Sequence, residues 1–204
     1  MDKWAQIPNK ETIKKTIKAL KKNNIDAYFF ETSDEAKKKF FEILPGNAEV
    51  LSNSSVTLDE VGISKEIAES GKYNAVKDKL MAMDRKTQGR EMQKLGSAPQ
   101  WSVGSAHAIT EDGHILIASN TGSQLPGYAY GADHVIWVVG AQKIVKNTDE
   151  GIKRIFEHSL VLESERVKAA YGMPESHARR ILILEDEAMP GRSTVIFVNQ
   201  VLGY

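Results

Sequence analysis

HVIWVV, residues 134–139, is the stretch that decides the fold. After its leading histidine it is apolar at every position. A strand with one face in water alternates apolar and polar residues. An unbroken run of this kind suits a strand covered on both faces, as in the middle of a parallel sheet.

Outward from this strand, helical and extended patterns alternate. Asn9 is placed to cap a helix running to about Asn23, with Ile13, Ile17 and Leu20 on its buried stripe. Residues 25–30 read as a short buried strand. Ser33 is placed to cap a second helix with Ala36, Phe40 and Phe41 inward, ended by Pro45-Gly46. Residues 49–51 form a further strand, and the spacing of Thr57 and Glu60 predicts a capping box at the start of the next helix. Residues 64–94 are helical in pattern, with breaks at Gly71 and at 86–89. Residues 101–103 read as a strand, 105–110 as a short turn of helix and 114–119 as a strand. Thr148 opens a long helix to about Tyr171, with Ile152, Ile155, Phe156 and Leu160 as its stripe. Residues 181–184 and 194–198 are the last two strands. This order predicts an α/β fold with a mainly parallel sheet and right-handed crossovers. No repeat or linker divides the chain, so residues 1–204 read as one domain with residues 1–24 packed on it as an N-terminal helix.

Composition excludes several functions. The 27 basic residues are balanced by 27 acidic ones, so no net field draws the chain to nucleic acid or an anionic membrane. With no cysteine, disulfides, cysteine-ligated zinc, iron–sulfur ligation and a thiol nucleophile are all excluded. No run approaches the roughly 18 apolar residues of a membrane span. The polar start MDKWAQIPNK lacks the apolar core of a secretory signal, which makes cytoplasm the expected location.

GxGxxG, GxxxxGK[ST] and GxSxG are all absent, so no cofactor is expected. His107 and Glu111 would share one helical face, but two ligands do not define a metal site, and none is assigned. Three segments carry the remaining chemistry. Ser52, Asn53, Ser54, Ser55 and Thr57 follow a strand and lead into a helix, where they serve either as a binding loop or as a plain turn and cap. Gly104 and Ser105 permit close backbone approach, and Glu111 precedes an Asp112-Gly113 turn. Glu111 is a candidate base or nucleophile and His107 a candidate partner. Asn120, Thr121, Gly122, Ser123 and Gln124 follow the 114–119 strand and form a polar loop suited to an anion. Residues 111–126 are the predicted centre of a small-molecule site.

In these segments the chain resembles the lactate-utilisation (LUD) domain family, with its LutC/YkgG-like proteins. The resemblance rests on VGSAHAITEDGHILIASNTGSQLP (103–126) and HVIWVVGAQKIVKNTDEGIKRI (134–155). SNSSVTLDEVGI (52–63) and GRSTVIFVNQVLGY (191–204) support it. It implies a Rossmann-like sheet similar to the NagB/RpiA/CoA-transferase-like fold of ribose-5-phosphate isomerase, glucosamine-6-phosphate deaminase and the CoA transferases. The family's A-E-T-G-T motif corresponds here to Thr110-Glu111-Asp112-Gly113-His114, which carries over Glu111 and Gly113. The implied function is that of an accessory component of lactate (2-hydroxy acid) utilisation. Such a component binds a small anionic metabolite, a carboxylate or phosphate, and works with separate iron–sulfur subunits. The alternative is a free-standing isomerase or acyl/CoA-transfer enzyme using Glu111. A third reading is a structural or assembly protein, or a homo-oligomer, in which the apolar C-terminal strand, with Val195, Phe197, Val201 and Leu202, is an interface edge; core is the preferred reading of that strand.

Overall fold

The computed structural model describes residues 2–204. Its main sheet has six parallel strands: β1 (Asp26–Phe30), β2 (Glu49–Ser52), β3 (Asn74–Ala75), β4 (Trp101–Gly104), β7 (His134–Gly140) and β10 (Ser193–Val198). Their spatial order is β1-β10-β7-β4-β2-β3. β7 lies inside this sheet, between β10 and β4, and its unbroken apolar sequence has the expected cause. Val135, Trp137 and Val139 enter one core while Ile136 and Val138 enter the other. The protein is thus a Rossmann-like α/β fold. β10 is interior as well, paired on both sides and buried along its whole length. Val195 and Phe197 are therefore core, as is Leu202 beyond the strand, while Val201 is exposed.

A second sheet takes up segments expected to belong to the first. β5 (Ala108–Thr110), β6 (Ile115–Ser119), β8 (Ile144–Val145) and β9 (Arg180–Leu184) form it in the order β8-β5-β6-β9, with β6 antiparallel to both neighbours. β6 presents Ile109's neighbours Ile115 and Ile117 to the main sheet and Leu116 and Ala118 to the opposite side. Residues 108–110 are therefore strand, where a turn of helix was expected. A tertiary partner decided this, because the tight Asp112-Gly113 turn folds β5 and β6 together as a hairpin.

Helices complete four layers. α2 (Ser33–Ile43), α3 (Val56–Glu60) and α4 (Ile63–Glu69) cover the outer face of the main sheet through Phe40, Leu58, Ile63 and Ile67. The second sheet and α1 (Lys10–Lys22) cover its inner face, with Ile13 and Leu20 inserted between them. α7 (Thr148–Arg154) backs the second sheet through Ile152 and the adjoining Ile155, and α8 (Leu160–Tyr171) continues beyond it. Asn9 caps α1 as the sequence predicts, whereas Thr32, not Ser33, caps α2 in a complete capping box with Glu35. α7 and α8 are continuous through a π-helical turn at Ile155–Ser159. This extra residue per turn rotates Phe156 to the surface and keeps Ile155 inward. Helices α5 (Val76–Ala82) and α6 (Arg85–Ser97) lie at the edge near β2, and the expected break falls at Gln88, where the backbone is non-helical. No helix among the described residues is long and apolar enough to cross a membrane.

After β10 the chain runs back across the end of β7. At Gly140 a side-chain carbon would overlap Gln142 Oε1 and sit 2.8 Å from both Gln200 O and Leu202 N. Gln142 Nε2 in turn donates to Leu202 O at 2.9 Å. Gly140→Ala should therefore cost about 1–3 kcal/mol through overpacking. The check is urea unfolding, with a lower midpoint and an unchanged slope as the expected result.

Candidate functional site: a cavity built around a buried lysine

A cavity of about 380 Å³ opens where β2, β4 and β7 end at their carboxyl termini, the position that open α/β sheets use for ligands. From β2 come Asn53, Ser54 and Ser55, and α3 contributes Thr57. The cap of α3 is Ser55, whose side chain accepts from Leu58 N at 3.3 Å. The capping box expected from Thr57 and Glu60 does not form, because both side chains are drawn to the C-terminal segment. Thr57 Oγ1 donates to Leu202 O at 3.3 Å, and Glu60 accepts from Gly203 N at 2.7 Å.

β7 delivers Lys143, in the 3-10 turn Ala141–Lys143 that follows the strand. The residue is 1% exposed. Its Nζ donates to Thr57 Oγ1 at 3.0 Å and to Ser105 Oγ at 3.3 Å, and among the described residues it has no carboxylate partner. Both hydroxyls direct their own protons to carbonyls, Thr57 to Leu202 and Ser105 to Ala106. Toward the amine they can only accept. Two acceptors match the two N–H groups of a neutral amine and leave the third proton of an ammonium without a partner. Burial, and then the nearby Arg154 charge, lower Lys143 to about 7.

His107 forms the adjoining wall. Its Nδ1 accepts from Ala118 N at 3.2 Å, so the ring is the neutral tautomer with its proton on Nε2. Burial, followed by Lys143 and Arg154, lowers it to about 3. Arg154 lies one layer behind, wholly buried, with Nη1 donating to His107 O at 2.6 Å and Ser159 Oγ at 3.1 Å. Among the described residues its Nε and Nη2 have no hydrogen-bond partner, and it too has no carboxylate paired with it. Burial lowers it to about 10, so it stays cationic at neutral pH.

The remaining walls are polar. Glu163 is gripped by Arg166 at 2.7 and 2.8 Å and by the Tyr204 hydroxyl. Burial works against its carboxylate, yet these two partners together hold it below its ordinary range. Asn120, Thr121 and Gln124 line the cavity from the loop after β6. That loop is closed by Ser119, whose Oγ accepts from Gly122 N at 2.9 Å and faces Gln124 Oε1 at 3.2 Å.

Of the residues singled out in the sequence, Asn53, Ser54, Ser55, Thr57, Ser105, His107, Asn120, Thr121 and Gln124 meet at this cavity. Others support it from outside. Ser52 ends β2 with its hydroxyl buried and unpartnered. Gly104 leaves room for the buried Tyr128, whose hydroxyl a side chain there would overlap. Gly122, at φ 82°, passes against Arg180, while Ser123 Oγ accepts from the Thr121 hydroxyl. Glu111 and Gly113 are not brought to the cavity. They lie at the opposite end of β5 from His107, because residues 107–111 are extended and not helical. Glu111 pairs there with Lys15 of α1 at 2.7 Å. Gly113, at φ 90°, lies against the last turn of α1, where a side-chain carbon would sit 2.9 Å from Leu20 N. Among the described residues no group of three or more His, Asp or Glu is placed to hold a metal.

Lys143, Arg154, Glu163, Arg166 and Tyr204 were not read from the sequence. For Lys143 a signal existed: a lysine three residues beyond the central strand sits at the carboxyl edge of a parallel sheet. Arg154 carried a weaker one, as a charge between Ile152 and Ile155 on an apolar stripe.

A profile of the LUD domain matches residues 13–198. No curated protein matches the sequence. Among solved structures, a DUF162 family protein from Deinococcus radiodurans, determined by crystallography at 1.70 Å resolution, superimposes with a TM-score of 0.59. The match is at 12% identity and covers 95% of this chain and 100% of that one, so it speaks to the fold.

The buried groups fix a pH dependence. Lys143 binds its proton less tightly when folded than when unfolded, so between about 7 and 10.5 the unfolded chain holds more protons and stability rises with pH. His107 acts with the same sign between about 3 and 6.5. Lys143→Met keeps the apolar stem and removes the amine. It should raise stability near pH 6 and flatten the rise above pH 7, as followed by urea unfolding at several pH values. An unaltered profile would contradict the assignment.

Proposed function

The chain belongs to the LUD domain family, and from that premise we propose that it acts in lactate (2-hydroxy acid) utilisation. In this reading it is an accessory component that binds a small carboxylate or phosphate in the cavity beside Lys143. The 204 residues contain no cysteine, so iron–sulfur chemistry in the same process resides outside them, in partner subunits.

The observation that carries the reading is the pair of buried basic side chains, Lys143 and Arg154, neither with a carboxylate partner among the described residues. Leaving a charge buried and uncompensated costs several kcal/mol. An anion in the cavity supplies the countercharge that Arg154 lacks and offsets the positive charge that Lys143 carries whenever it is protonated. The Ser54 hydroxyl and the Gln124 side-chain amide line the same cavity and offer hydrogen-bond donors to the anion's oxygens. Two carboxylates line the cavity: Glu163 is paired with Arg166, and Asp59 is exposed to solvent, so neither sets an unscreened negative charge against such a ligand. The Glu111-based isomerase or acyl-transfer alternative has no comparable support, since Glu111 is paired with Lys15 outside the cavity.

A ligand at ten times its Kd stabilises by about 1.4 kcal/mol, which for a chain of this size raises Tm by roughly 3–6 °C. Lactate, pyruvate or inorganic phosphate at millimolar concentration should produce such a shift in calorimetry, and Lys143→Met should abolish it. No shift with any of the three would overturn the reading.

A further inference from the structure

We propose that Lys143 is a nucleophile that forms an imine with a small carbonyl-bearing carboxylate, of the 2-oxo acid or aldehyde-acid class. The inference rests on the anion-site reading and adds a covalent step to it.

The geometry supplies what an amine nucleophile needs. In its neutral form Nζ spends its two protons on Thr57 Oγ1 and Ser105 Oγ. Because those hydroxyls give their own protons to Leu202 O and Ala106 O, neither can donate to the nitrogen and occupy its lone pair. The stem is fixed by complete burial and the amine lines the cavity, so an entering carbonyl meets an oriented lone pair. A surface lysine, by contrast, is charged, mobile and hydrated. The depressed proton affinity of Lys143 agrees with this form at neutral pH.

The step balances without any co-reactant. The lone pair of Nζ attacks the carbonyl carbon, a C–N bond forms, and the π pair of C=O moves to oxygen. That oxygen takes a proton released by the nitrogen, giving a carbinolamine. Loss of water, with the second amine proton leaving as part of it, forms the C=N bond. The imine nitrogen then takes a proton from solvent. The resulting iminium holds positive charge where the buried amine stood, beside the ligand's own carboxylate. Arg154, behind the His107 wall, adds a positive field that attracts the ligand's carboxylate, and that carboxylate offsets the iminium charge.

The full chain should be incubated with pyruvate and sodium borohydride and then mapped by peptide mass spectrometry. A trapped imine adds one pyruvic acid less one oxygen atom to the modified lysine. An exposed lysine is neutral in roughly one molecule per thousand at neutral pH. Trapping at Lys143 should therefore exceed that at any surface lysine by on the order of a hundredfold. Lys143→Met and Lys143→Arg should both lose the adduct, with the arginine variant keeping the cation. Labelling spread over surface lysines, or absent, overturns the covalent inference. A calorimetric scan with pyruvate and with phosphate on the same sample separates the two failures. A thermal shift without trapping leaves the anion site standing, whereas no shift and no trapping removes both.

Discussion

Taking an ammonium group out of water costs several kcal/mol even after the surrounding protein relaxes. The fold places Lys143 where that cost falls with no carboxylate to offset it. Much of the local structure follows from holding this amine. Thr57 leaves the capping role its spacing suggests and becomes an acceptor for Nζ. The C-terminal segment crosses the end of β7 so that Leu202 O can take the Thr57 proton. Gly203, at φ 54°, fits where a side chain would lie 2.5 Å from Thr57 Oγ1 and 3.4 Å from Lys143 Nζ. The arrangement is satisfied for a neutral amine and frustrated for a charged one, which ties the site's chemistry to its protonation.

Two sheets make such a placement possible. The main parallel sheet brings β2, β4 and β7 to a common carboxyl edge, which alone would leave an open crevice. The second sheet, packed on the inner face through Ile109, Ile115 and Ile117, raises a wall along that crevice with His107 and Ser119 at its lip. The helical layer of α7, the π turn and α8 then closes the far side with Ser159 and Glu163. The π turn has a local purpose in this setting. It separates Arg154 from Ser159 by five residues, yet Nη1 bonds that hydroxyl at 3.1 Å while also holding His107 O. A buried guanidinium thus braces the wall that carries the neutral histidine.

The parallel core was legible because its physics is local. The run 134–139 carries two buried faces in a single string of residues, and Asn9 and the Asp112-Gly113 turn act within a few positions of themselves. The second sheet was not legible, because β5 and β6 take their partners from β8 and β9, far along the chain. Short apolar segments such as 108–110 read equally as helix or strand until those partners are known. The polar loops at 53–57 and 120–124 announced a site through composition. The buried lysine did not, since a lone lysine after a strand resembles any surface lysine until its burial is seen. Glu111 drew attention for the opposite reason: a carboxylate next to a glycine turn looks poised, and only the path of α1 shows it tied to Lys15.

The most direct test of this account is the ionisation of Lys143 itself, followed by NMR through the 13C shift of Cε in the ligand-free chain and again with saturating phosphate. The account predicts a midpoint near the value of about 7 set by burial and Arg154, moving upward when phosphate is bound. A midpoint at the ordinary lysine value of about 10.5, unmoved by phosphate, would contradict it.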